Sequence, residues 1–259
     1  MILNLRVLTM VFCIGFALVQ PVPTYAAEPL SQAQQFQVER IIEEYLLENP
    51  ALMLKVLQHV RRFQQGKEKK RARDNLLRLN ENLYDDPNSV ILGDPHAKVT
   101  IVEFFDYRCG YCKKNHPIIT SFRAQNRDIN VIFKEFPILG PESVFASRAA
   151  IASRKQGKYW ELHDTLMTTR AELTEQHVFA LAKEVGLDLA RLRRDIAAPE
   201  IDSIIRNNYH LAAALGINGT PGFVIGDNII PGFLNRERLA IAVDEARTDC
   251  LTCLHQQRD

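Results

Sequence analysis

Two cysteines three positions apart, Cys109 and Cys112, sit near the end of the stretch "VTIVEFFDYRCGYCKK" at residues 99–114. The run before them is apolar and β-branched and closes on Phe104-Phe105, which predicts a strand over 98–105. The residues after them predict a helix over about 111–126. Cys109 therefore falls where a strand has ended and a helix starts. Backbone N–H groups and the helix dipole favour an anion at that point, and a thiolate placed there has a lowered pKa. Cys112 lies one turn further along, on the same helical face and deeper. An exposed, acidified thiol with a second thiol one turn away is the layout of thiol–disulfide exchange. Cys109 attacks or releases the substrate, and Cys112 resolves the mixed disulfide.

Glu103 is the other unusual residue of the stretch. In a strand followed by two phenylalanines its carboxyl is expected to be at least partly buried, which raises its pKa towards neutrality. It could then accept the proton that Cys112 loses on resolution, directly or through water. Lys134, in the apolar run "VIFKEFPI", is the candidate partner on the neighbouring strand. The competing readings are a Glu103 facing solvent and a Lys134 without that partner. For the thiols, the competing readings are a purely structural disulfide and half of a zinc site completed by Cys250, Cys253 and His255. The strand–Cys-x-x-Cys–helix context weighs against the first, and the distant position of the second pair against the other. No metal ligand set is assigned. His116, about one turn past Cys112, reads as a capping or surface residue. His163, His177 and His210 read as surface or core polar groups of helices, and Tyr159 and Trp160 as packing residues.

The elements that must position these groups follow from the rest of the 259 residues. A hydrophobic content of 46% and a charged content of 24% are those of a globular protein with a packed core. The formal net charge of +1 provides no field for nucleic acid or an anionic membrane, and no basic stripe is interleaved with aromatics. The one basic run, "GKEKKRARD" at 66–74, reads as a solvated helical face. Residues 1–26 read as a secretory signal, with Arg6 in a short n-region, an apolar core and small residues allowing cleavage after Ala26. An uncleaved anchor is the alternative. Cys13 lies in this leader. The remaining four cysteines form two Cys-x-x-Cys pairs in a chain that reads as exported, and an oxidising compartment permits disulfides. They are too sparse for a disulfide-stapled scaffold, so thiol chemistry is the better use for them.

Residues 27–86 carry apolar residues at near-helical spacing, from Phe36, Ile41 and Tyr45 to Leu57 and Val60, with Pro50 breaking or restarting the helix. Such a stripe must be covered, and self-association is the preferred way over packing on the next domain. The charged segment 64–74 could serve as a semi-rigid helical linker. A loop-rich boundary with a short strand near Val90–Leu92 precedes the strand of Glu103. A strand over 129–138 completes a β-α-β unit with parallel strands. Residues 141–215 read almost wholly helical. "TPGFVIGDNIIPG" at 220–232 reads as a hairpin, and a last helix runs from about Asn235 to Arg247. With the helical block set aside, the order is that of an α/β, thioredoxin-like core.

"FFDYRCGYCKK" and "GINGTPGFVIGD", with a helical block between them, resemble the DsbA-type thiol–disulfide oxidoreductases of the thioredoxin superfamily. The resemblance covers roughly residues 88–247 and is nearest to Com1-like and ScsC-like proteins with an N-terminal helical extension. It implies a domain over 87–249 with a helical insertion at about 140–217, an N-terminal oligomerisation region over 27–86 and a tail over 250–259. It also implies a cis-proline loop at Thr220-Pro221 facing the thiols, where the Thr220 backbone pairs with an extended substrate segment. The acidic residue six positions before the first cysteine matches Glu103. Gly110-Tyr111 stands where the strongly oxidising members have Pro-His, and Thr220 where they have Val. Both pairs look instead like the DsbC isomerase site. Without an adjacent histidine Cys109 should be less acidified and the protein a milder oxidant.

The resemblance thus implies a periplasmic enzyme that carries no cofactor beyond a redox-active Cys109–Cys112 disulfide. It acts on proteins with thiols or disulfides, has isomerase or reductase character and assembles as a homo-oligomer. A DsbD-type membrane reductase would keep it reduced; a DsbB-type oxidase is the partner if it is a dithiol oxidase. A periplasmic copper-binding protein is the reading of another class. Cys250 and Cys253 are read first as a second disulfide.

Overall fold

Ser31 opens the first helix, α1 (Gln32–Glu48), with a capping box: its hydroxyl accepts the Gln34 N–H, and the Gln34 side chain accepts the Ser31 N–H. Pro50 lacks an N–H and so suits the first turn of the next helix, α2 (Pro50–Arg78). The computed structural model describes residues 29–248, which divide between His59 and Val60 into two units. The segment 1–26 expected to be a leader, and the pair Cys250 and Cys253, lie outside the described residues. Among the described residues no helix is long and apolar enough to cross a membrane.

In the first unit α1 buries none of its residues. Phe36, Ile41, Ile42, Tyr45 and Leu47 stand exposed along it.

The second unit is built on a five-stranded sheet: β1 (Val90–Leu92), β2 (Val99–Phe105), β3 (Ile129–Glu135), β4 (Gly222–Ile225) and β5 (Asn228–Pro231), in the order β1-β3-β2-β4-β5. β2 and β3 are parallel and joined through α4 (Gly110–Gln125); the other pairs are antiparallel. Five α-helices lie between β3 and β4: α5 (Pro141–Ser153), α6 (Tyr159–Thr168), α7 (Glu175–Glu184), α8 (Leu189–Ile196) and α9 (Pro199–Ala214). A short helix, α3 (Asn80–Tyr84), precedes β1, and α10 (Arg236–Thr248) follows β5. This is a thioredoxin-like sheet with an inserted helical block.

β2 and β3 are buried at every position, because both faces of the sheet are covered. Alternation sorts their side chains. Ile101, Phe105, Val131 and Phe133 join one core with Ile119 of α4, Val243 of α10 and the inserted helices. Val102, Phe104 and Ile132 join a second core with Leu76 of α2, Leu83 of α3, and Leu211 and Leu215 at the end of α9. Each large apolar side chain so buried is worth about 2 kcal/mol.

Two boundaries differ from the sequence reading. β3 ends at Glu135, not near 138: the Phe136 N–H makes a last bond to Phe105 O at 2.9 Å, and Pro137 has no N–H to continue. The second unit begins at Val60, not at 87. Leu76, Leu83 and Tyr84 are buried under the sheet, so the end of α2 and all of α3 serve this core.

Candidate active site

β2 ends at Phe105, and the chain turns through Asp106–Arg108 into α4. Asp106 makes this turn. Its buried carboxylate accepts the N–H groups of Arg108, Ile138 and Leu139 and the hydroxyl of Ser143, all within 2.9 Å. Its carbonyl accepts the Cys109 N–H at 3.0 Å. Arg108 reaches sideways to the Leu139 carbonyl at 2.6 Å and Glu142 at 2.8 Å. Gly140 (φ 113°) allows this approach, since a Cβ there would lie 3.0 Å from the Arg108 guanidinium.

Cys109 is the N-cap of α4, and its Sγ accepts the Cys112 N–H at 3.4 Å. The two thiols are set far apart in acidity. The hydrogen bond from the Cys112 side chain, opposed by burial and helped by Thr220 and the backbone N–H groups of Cys112 and Tyr111, holds Cys109 down to about 6. Burial pushes Cys112 well above the ordinary thiol range, as do its hydrogen bond to Cys109 and the Glu103 charge. At neutral pH the negative charge therefore sits on Cys109 and the proton on Cys112. Both cysteines are free thiols here. Only Cys109 reaches solvent, and it does so less than expected: 7% of its surface is exposed, against none of Cys112.

Glu103 is wholly buried, and neither carboxyl oxygen has a hydrogen-bond partner. Burial, with the Cys109 charge adding to it, pushes its pKa up to about 8. The solvent-facing reading of Glu103 is thereby excluded.

The expected Lys134–Glu103 pair does not form. Glu103 is in register with Phe133, while Lys134 is in register with Phe104, so the two side chains point to opposite faces. The Lys134 ammonium instead donates to the Asn82 carbonyl and to Asp86, both at 3.0 Å.

The peptide bond Thr220-Pro221 is cis. The Thr220 carbonyl oxygen lies 3.3 Å from the Cys109 sulfur, and the Pro221 carbonyl accepts the Gly232 N–H at 2.8 Å. Gly222 must follow, because a Cβ there would come within 2.6 Å of Ile217 Cγ2. Gly110 has open space around it, and Tyr111 is 60% exposed with its ring 6.4 Å from that of Phe233. A groove of about 700 Å³ starts at Thr220-Pro221 and runs past Ile217, Ile229 and Pro231 to Lys69 and Arg71 of α2. The fold therefore brings Cys109, Cys112, Glu103, Thr220 and Pro221 together around one sulfur pair, with Gly110 and Tyr111 at its rim.

Several residues around the site were missed. His116 is not at the surface: it is 2% exposed, its Nε2 lying 2.8 Å from Asp164 Oδ1. α4 carries its inward face past Cys112 to the inserted helices. Lys113 donates to the Leu166 and Thr169 carbonyls at 2.6 and 2.8 Å, closing the C-terminal end of α6. Burial lowers its pKa to about 8. Asp106 and Tyr107 carry no spacing signal. Glu135 does: an acid in an apolar strand is the same mark that singled out Glu103.

A family model described as a DSBA-like thioredoxin domain matches residues 100–244. A solved thioredoxin-like oxidoreductase from Silicibacter pomeroyi DSS-3 is 43% identical, the alignment covering 66% of this chain and 98% of that one with a TM-score of 0.64. Proteus mirabilis ScsC, solved in a transitional conformation, is 30% identical over 84% of this chain and 99% of its own, with a TM-score of 0.63. Among curated relatives, the Na(+)/H(+) antiporter NhaA 3 of Salinispora tropica is 30% identical over 158 residues, 60% of this chain. The chain spans about a quarter of the length of the curated relatives it matches, 24% in this case.

Proposed function

The chain belongs to the DSBA-like thioredoxin domain family, and we propose that it is a periplasmic thiol–disulfide oxidoreductase of exported proteins, with isomerase and reductase character. The observation that carries this reading is the division of one proton between two thiols: Cys109 acidified at a helix N-cap, Cys112 buried and protonated behind it.

The Cys109 thiolate attacks one sulfur of a substrate disulfide. A bond forms between Cys109 Sγ and that sulfur, and the other substrate sulfur leaves as a thiolate. The Thr220-Pro221 loop, with its carbonyl beside the reacting sulfur, holds the substrate backbone, and the groove beyond it accommodates an extended segment. Two exits follow. A substrate thiolate attacks the mixed disulfide on the substrate sulfur, which frees Cys109 and leaves the substrate with a new pairing. Otherwise Cys112 attacks Cys109 Sγ, so that the Cys109–Cys112 disulfide forms and the substrate leaves reduced. Cys112 must lose its proton in the second exit, and the ionised form of Glu103 takes it; with the Cys109 charge gone in the mixed disulfide, one of the two causes that keep Glu103 protonated is removed. A membrane reductase of the DsbD type returns the disulfide to the dithiol. The exposed apolar face of α1 supports self-association, which would set several Cys109 sites around one substrate.

The test is the recovery of a scrambled multi-disulfide protein in the presence of the reduced chain. Native pairings should return at catalytic amounts of enzyme. Cys109→Ser should abolish this, and Cys112→Ser should accumulate mixed disulfides. Oxidation of reduced substrate without reshuffling would instead make the chain a DsbA-like oxidase with a DsbB-type partner, and no thiol exchange at all would end the enzymatic reading.

A further inference from the structure

Behind the Cys109 turn lies a group of ionisable side chains that the steps above leave unused. Glu135, the register partner of Phe105, is buried at the end of β3. Its Oε1 accepts the hydroxyls of Tyr107 at 2.9 Å and of Tyr159 at 2.8 Å. Tyr107, two residues before Cys109, exposes no surface, and its hydroxyl oxygen also lies 3.0 Å from His163 Nδ1. Tyr107 has one hydrogen to give and gives it to Glu135, so the neutral His163 carries its proton on Nδ1 and donates to Tyr107. Burial holds the His163 ring well below the ordinary histidine value, with His116 adding to it. The Glu135 backbone carbonyl accepts a further bond, from Asn208 of α9 at 3.0 Å.

Packing does not ask for these groups. Phe and Leu would fill the same space, and burying hydroxyls, an imidazole and a carboxyl costs free energy unless their hydrogen bonds fix something. What they tie together is specific: the active-site turn through Tyr107, the end of β3 through Glu135, and α6 through Tyr159 and His163. Asp106 fastens one side of that turn, and Tyr107 fastens the other. The Cys109 sulfur meets its neighbours at 3.4 Å (Cys112 N–H) and 3.3 Å (Thr220 carbonyl). Contacts of that length weaken quickly when the turn shifts.

We infer that Tyr107 and Glu135 are positioning residues for the Cys109 thiol, their buried hydrogen bond fixing the turn that aims its sulfur. The inference rests on the reading of Cys109 as the attacking thiol. It deepens that reading by extending the machinery of the thiol to the edge of the helical block.

The test follows Cys109 ionisation in the full chain by thiolate ultraviolet absorbance against pH, with the rate of reaction with glutathione disulfide and the melting temperature alongside. Tyr107→Phe should raise the ionisation midpoint by about one unit, a roughly tenfold fall in the thiolate-to-thiol ratio, and slow the reaction below that midpoint. Glu135→Ala should do the same. Glu135→Gln, which keeps an acceptor oxygen for both tyrosines, should restore the wild-type midpoint. A lower melting temperature with an unmoved midpoint in Tyr107→Phe would reduce the network to packing and overturn the inference. If Glu135→Ala does not fold, Tyr107→Phe and Glu135→Gln decide: the first must move the midpoint, and the second must not. If the wild-type chain shows no acidified thiol and no reaction with glutathione disulfide, the exchange reading falls and this inference with it. If the wild type reacts and Tyr107→Phe titrates like it, only the positioning role falls.

Discussion

A carboxyl buried without a partner is a source of instability, and Glu103 is kept in that state. Its value in the fold, about 8, lies above the ordinary 4.5. The native state therefore holds a proton that the unfolded chain releases between those limits, so stability falls as pH rises through this window. At pH 7 the deficit is on the order of 3 kcal/mol, a large share of the 5–15 kcal/mol of a typical domain. Glu103→Gln should accordingly raise the unfolding free energy at neutral pH by about that amount and change it little near pH 4.5, as read from urea titrations at the two pH values. The same variant should slow the closing of Cys109–Cys112 on a mixed disulfide, because Cys112 loses its acceptor. A more stable but slower protein would mark Glu103 as retained for chemistry; an unchanged resolution rate would remove it from the mechanism. Glu103 was legible because an acid before Phe104-Phe105 and a Cys-x-x-Cys breaks the pattern around it. Its relation to Lys134 was not. Strand parity decides which face a side chain meets, and the register of two strands joined by a helix is written in their packing, not in either segment alone.

The strand–turn–helix that carries Cys109 shows how an element can be legible while its fastening is not. Alternation and apolar runs marked β2 and β3, and the change of period after Cys109 marked α4. What holds the turn in place is Asp106, whose four donors come from residues up to 37 positions away. No local pattern announces such long-range bonds. Asp106→Ala should leave the Ile138 and Leu139 N–H groups and the Ser143 hydroxyl without their acceptor. At 1–3 kcal/mol for each buried orphan, the loss should reach about 3 kcal/mol or more in chemical denaturation. Ser143→Ala removes a single donor and should cost about 1 kcal/mol. Equal losses in the two variants would show that water replaces the carboxylate and that Asp106 is not the fastening of the turn. Lys113 belongs to the same scale: it joins α4 to the end of α6 by capping carbonyls that the sequence places more than 50 positions away.

Beside the core of the second unit, the chain carries a helix, α1, whose own apolar residues stand exposed. The sequence shows the near-helical stripe from Phe36 to Val60 but not what covers it. Further on, the same kind of pattern at Leu76, Leu83 and Tyr84 is answered by the sheet, which is why the core reaches back into a region that composition assigned to the arm. On α1 the stripe stands exposed: Phe36 is 70% exposed, Ile41 61% and Tyr45 56%. Each such side chain gains about 2 kcal/mol on burial, so a few of them contributed by each copy are enough to drive association at micromolar concentrations. Charge placed on that face should prevent it. The double substitution Phe36→Glu and Ile41→Glu replaces no residue of the active site, and with it the chain should scatter light as a monomer. The Cys109 ionisation and the reaction with glutathione disulfide should remain at wild-type values, because one thiol site suffices for a small disulfide. Under the proposed isomerase function, recovery of a scrambled protein should fall, because several sites held around one substrate would act on its bridges in succession. A monomer that still recovers native pairings would leave the thiol chemistry intact and separate the exposed face of α1 from isomerisation.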